Sequence, residues 1–91
     1  DDGMATWMYS RVLLDFRKRG DSPTADASLK AALAENKYVP PYLLGRKKLP
    51  RNLPDHYGFG DADEAVKYAY ENKAAWQVTQ GALEWLSAKL G

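Results

Sequence analysis

The residues best suited to acid–base or metal chemistry cluster in the second half of the chain. His56, the single histidine, sits between Asp55 and Tyr57. An imidazole beside a carboxylate is the smallest apparatus for general-base work. It needs a nucleophile or a second acid, and a transition-metal site needs more His or Cys; the chain has one His and no Cys. His56 therefore reads as a loop histidine bonded to backbone. Asp61, Asp63 and Glu64 place three acids in one helical turn, where the positive end of a helix dipole accounts for them without calcium. Gly58-Phe59-Gly60 precedes that helix, but a cap at Asp61 would occupy the amides that an anion requires. No Ser-His-acid set can be assembled. The expectation is a protein without catalytic residues, metal or cofactor, and not an enzyme.

A second cluster is basic: Arg46, Lys47 and Lys48, with Arg51 close behind. Such a patch can meet phosphate or an acidic peptide. Leucine and proline interleave it, and the net charge of the whole chain is only +1, so a solvated surface accounts for it and nucleic acid is not the expected partner. Aromatic residues reach 12 %, with three Trp, six Tyr and two Phe. They carry large buried area in cores and dominate interface hot spots.

The 91 residues make one domain, 1–91, with ordinary globular composition. Without cysteine there are no disulfides, and no apolar run approaches the length of a membrane span. A cytoplasmic chain is the expectation. It opens Asp1-Asp2-Gly3 rather than with methionine, which suggests a piece of a longer protein.

The elements that must position any site are helical. Ala5, Tyr9, Val12, Leu13 and Phe16 recur at three- and four-residue steps and predict a helix over 4–19. Arg11–Asp15 and Asp15–Arg19 are i,i+4 pairs, Arg17-Lys18-Arg19 suits the helix C-terminus, and Gly20 stops it. Ser22-Pro23 is an N-cap followed by proline at the first helical position. Ala25, Leu29, Ala32 and Leu33 form the next stripe, with Asp26 and Lys30 paired on another face and Asn36 as the stop. So short a turn forces an antiparallel hairpin over 4–37. Residues 38–60 predict an irregular connector: Pro40-Pro41 hold an extended approach, Tyr42-Leu43-Leu44 make a short helix ending at Gly45, and Leu49, Leu53, Tyr57 and Phe59 pack the remainder. Residues 61–91 predict two further helices. Asp61 and Glu64 form a capping box, Ala62, Ala65, Val66, Ala69 and Tyr70 line the first apolar side, and Thr79 caps the last helix, with Ala82, Leu83, Leu86 and Leu90 inward and Trp85 beside them. No segment alternates like a strand. The fold class is all-α.

Gly20-Asp21-Ser22-Pro23-Thr24-Ala25 and Gly60-Asp61-Ala62-Asp63-Glu64-Ala65 share the pattern Gly-Asp-x-x-x-Ala, 40 residues apart. With Tyr9, Phe16, Gly20-Asp21, Ala25 and Ala32-Leu33, the first hairpin resembles a tetratricopeptide repeat. Leu13 stands where that family carries a small residue, so an irregular helix crossing is expected, and the second pattern lacks a proper first helix. Asn36-Lys37-Tyr38-Val39-Pro40-Pro41-Tyr42-Leu43-Leu44, Leu49-Pro50, the Gly60-Asp61-x-x-Glu64-Ala65-x-x-Tyr68-Ala69 segment, Trp76 and Gly81-Ala82-Leu83 resemble the C-terminal part of the suppressor-of-tumorigenicity family numbered seven and its bacterial tetratricopeptide-like relatives. That resemblance implies a helical-repeat scaffold with no reaction of its own; the membrane segments of its animal members have no counterpart in this sequence.

In the tetratricopeptide family the inner face of the first helix grips peptides. The register of the Gly-Asp turn carries that face onto Trp7, Ser10, Arg11, Leu14, Arg17 and Lys18. An indole and a leucine among three cations suit a peptide with an apolar anchor and acidic neighbours. Against this, a small domain needs its aromatics inside, which favours Trp7 and Leu14 packing under the later helices. The reading is a protein-interaction module. The alternatives are a domain that supports a catalytic or binding region elsewhere in a longer protein, and anion binding through the basic connector. Self-association through exposed aromatics stays open.

Overall fold

A computed structural model describes residues 4–49 and 62–90. Among the described residues five α-helices follow in order: α1 Met4–Arg19, α2 Pro23–Glu35, α3 Val39–Leu43, α4 Ala62–Val78 and α5 Ala82–Leu90. No strand occurs among the described residues, and the fold is all-α.

The α1–α2 turn follows from three residues. Gly20 takes φ +64°, a left-handed conformation that side chains resist, and its N–H bonds to the Phe16 carbonyl at 2.7 Å. Ser22 is extended at φ −147° and its Oγ accepts from the Ala25 N–H at 3.2 Å, while Pro23 opens α2. Ser22→Ala is expected to lower stability by about 1 kcal/mol, because that amide loses its acceptor; an unchanged urea midpoint would show that the cap contributes nothing.

α1 packs along α2, α3 against α4, and α4 also against α1 and α5. Tyr9, Val12, Val39, Leu43, Tyr68, Trp76 and Leu86 are buried at the centre, with Ala5, Ala25, Ala32, Ala65, Ala69 and Ala82 buried among them. α5 is fastened over the hairpin turn. Trp85 Nε1 donates to Asp21 Oδ1 at 3.2 Å, its ring lies 5.0 Å from that of Phe16, and Lys89 Nζ reaches Asp21 at 3.2 Å and Asp26 at 3.0 Å.

Several expectations are corrected. Pro40 and Pro41 do not hold an extended approach; they lie inside α3, in the first turn, where amides have no helical partner to lose. Burial of Val39, Pro40 and Leu43 outweighs the bias of pre-proline residues toward extended backbone. Thr79 does not cap α5. Its hydroxyl donates back to the Ala75 carbonyl at 2.8 Å, and α5 begins after Gly81 (φ +82°), whose carbonyl receives the Trp85 N–H at 2.9 Å. Tyr70 is exposed, and Tyr68 fills the core in its place. Asp26 pairs with Lys89 instead of Lys30; Asp15 makes the expected pair with Arg11, but its other partner is Ser28 and not Arg19. Residues 50–61, with the packing predicted for Leu53, Tyr57 and Phe59, lie outside the described residues.

Candidate interaction face

α1 has a dry side and a wet side. Ala5, Tyr9, Val12 and Leu13 are buried, whereas Trp7 is 61 % exposed and Leu14 46 %. This corrects the expectation that both would pack under the later helices: neither α4 nor α5 covers this side. Trp7 and Tyr9 are two positions apart, about 200° around the helix, so burying one turns the other out.

Two hollows flank the Trp7 ring. On the α2 side a hollow of about 290 Å³ is bounded by Trp7, Met8, Arg11, Ala27, Ser28 and Ala31. On the other side one of about 280 Å³ is bounded by Trp7, Ser10, Arg11 and Leu14. The structure thus brings together four of the residues singled out in the sequence. The Arg11 guanidinium lies 5.9 Å from the Trp7 ring centre and 3.4 Å from Asp15 Oδ2, an arrangement that fixes it at the lip of both hollows. Asp15 is itself held from below by the Ser28 hydroxyl.

The other two members behave differently. Arg17 is exposed but swings toward the turn between α4 and α5, where its Nε donates to Thr79 Oγ1 at 2.9 Å. Lys18 is exposed at the end of the same face as Trp7 and Leu14. Ser10 borders the second hollow and also shares a hydrogen bond with the Tyr68 hydroxyl.

Of the basic cluster, Arg46, Lys47 and Lys48 are exposed, and Arg51 lies outside the described residues. Arg46 Nη2 donates to Ser87 Oγ at 3.0 Å and Lys47 stands 5.9 Å over the Tyr42 ring. Two of these cations are therefore engaged with the fold. His56, Asp55, Tyr57, Asp61 and the Gly58-Phe59-Gly60 segment also lie outside the described residues. Among the described residues no group of three or more His, Cys, Asp or Glu could hold a metal ion, and no helix is long and apolar enough to cross a membrane.

The sequence did not disclose a buried polar junction behind this face. Glu64 and Asn36 are each only 1 % exposed. Glu64 accepts from the Ala5 N–H at 3.3 Å and from Asn36 Nδ2 at 3.5 Å. Asn36 Oδ1 accepts from the Tyr38 N–H at 2.9 Å, and the Asn36 carbonyl accepts from the Tyr9 hydroxyl at 2.6 Å. Glu64 is therefore more than a charge for its own helix: it also satisfies an orphan amide in the first turn of α1. Nearby, the Tyr68 hydroxyl accepts from Trp76 Nε1 at 3.0 Å. Burial pushes the phenols of Tyr9 and Tyr68 above the ordinary tyrosine range. These groups tie α1, α2 and α4 together.

Comparison of the chain with protein-family models, with curated proteins and with solved structures gives no match.

Proposed function

We propose that this domain is a protein-docking module, tetratricopeptide-like in its first hairpin, which binds its partner on the outward face of α1 and catalyses no reaction. The observation that carries this reading is the exposed Trp7–Leu14 pair, which borders one hollow with Arg11 at its rim. Trp76 and Trp85 are buried, so the domain fills its core without the third indole. An apolar patch rimmed by charge is the usual form of a contact surface, and tryptophan beside arginine is its usual hot-spot chemistry.

The test is capture of partner proteins by the immobilised domain. Trp7→Ser with Leu14→Ser should abolish capture and leave the circular dichroism spectrum unchanged, because both side chains lie outside the core. Lys18→Glu should weaken it by reversing a rim charge. Arg11→Glu is a poorer probe, since the new carboxylate would face Asp15. Retention of the same partners by the double variant would overturn the reading.

A further inference from the structure

We infer that the occupant of this face is an acidic amphipathic helix, laid along α1 rather than threaded across it as an extended strand. The inference rests on the docking reading above and specifies its partner. Met4, Trp7, Arg11, Leu14 and Lys18 follow one another at steps of three and four residues. All five are exposed, Met4 at 55 %. A 3-4 spacing keeps one straight seam facing a neighbour along the helix, which is the pattern that pairs with another helix. An extended segment repeats every second residue and has no reason to match it.

The relief of the surface agrees. Trp7 stands as a ridge between two hollows, and the floor on the α2 side is made of the small exposed residues Ala27 and Ala31. Side chains on successive turns of a partner helix would drop to either side of the indole, as ridges enter grooves. Charge selects the sign. Arg11 and Lys18 alternate with the apolar members of the seam, and Arg17 and Arg19 follow in the same last turn. Asp15, the one carboxylate of α1, is buried and bound to Ser28 and Arg11. The partner therefore carries acids beside its apolar residues. A second copy is a poorer occupant, because an antiparallel pairing that sets Trp7 against Leu14 also sets Arg11 against Arg11.

The probe is a synthetic peptide of about three heptads with leucine at the seam positions and glutamate beside them, whose acids keep it from pairing with itself. Two controls accompany it: one with scrambled order, one with a central proline. With the whole chain, the helical probe should bind, gain helical ellipticity and shift the Trp7 emission to the blue. Both controls should bind at least about tenfold more weakly. Trp7→Ala should weaken the helical probe about thirtyfold, and Lys18→Glu should weaken it and flatten its salt dependence. Equal binding of the proline control would overturn the helical partner while leaving the docking face standing. Failure of every probe, together with full partner capture by the Trp7→Ser, Leu14→Ser variant, would overturn both. A sedimentation mass of twice the chain, restored to one by Leu14→Glu, would make the occupant a second copy and overturn the inference.

Discussion

Trp76→Ala is expected to remove about 3–5 kcal/mol of stability, from a total of about 5–14 kcal/mol for a chain of 91 residues. Trp76 is the largest fully buried side chain in the domain. It lies on α4, the helix that packs against α1, α3 and α5, so a void there loosens three contacts together. The substitution also strips the Tyr68 hydroxyl of its donor at 3.0 Å, and Tyr68 in turn packs at 5.7 Å on Tyr9 of α1. Trp76→Phe separates the two effects. It retains most of the buried area and loses the indole N–H, for an expected loss of about 1–2 kcal/mol. Urea unfolding followed by far-ultraviolet circular dichroism measures both. If the alanine variant fell no further than the phenylalanine variant, α4 would not be the keystone this packing makes it.

Periodicity and end signals carried the first hairpin. The Ala5–Phe16 stripe had the width of one helix face, and Gly20, Ser22 and Pro23 each serve a single backbone need, so little else fits their order. α4 was harder because its partners lie on more than one side and half of its apolar residues are alanine, a weak marker of direction. The sequence pattern therefore points Tyr70 inward, whereas the packing buries Tyr68. The two prolines misled because the rule against proline holds for the interior of a helix, and α3 is barely longer than its own first turn. Thr79 carried a genuine cap chemistry that can serve either end of a turn; the left-handed Gly81 decided which. For Trp7 and Leu14 the residues of the face were legible and their exposure was not. Exposure depends on whether another element crosses α1, and that is a property of the whole packing.

The second large effect is expected at Glu64, which the sequence presents as one of three acids and as a capping-box partner of Asp61, not as a junction between helices. Its carboxylate joins three helices: it sits in the first turn of α4, accepts from Ala5 in the first turn of α1, and meets Asn36 at the end of α2. Glu64→Leu preserves bulk but leaves the Ala5 amide and the Asn36 side chain without this acceptor in a site closed to water. The expected loss is about 2–4 kcal/mol, since each stranded donor costs about 1–3 kcal/mol. Glu64→Gln should lose less, because an amide oxygen still faces Ala5 while the charge that favours the α1 N-terminus is gone. A double-mutant cycle with Asn36→Ala distinguishes a shared junction from two separate contacts: the losses should fall short of additivity by about 0.5–3 kcal/mol. The consequence reaches the interaction face. Ala5 lies between Met4 and Trp7 in the same turn, so releasing its amide frays the start of the exposed seam before it unfolds the domain. Amide exchange should therefore quicken first over residues 4–8 in Glu64→Leu. Additive losses, with exchange unchanged there, would mean that α1 is held by its apolar stripe alone.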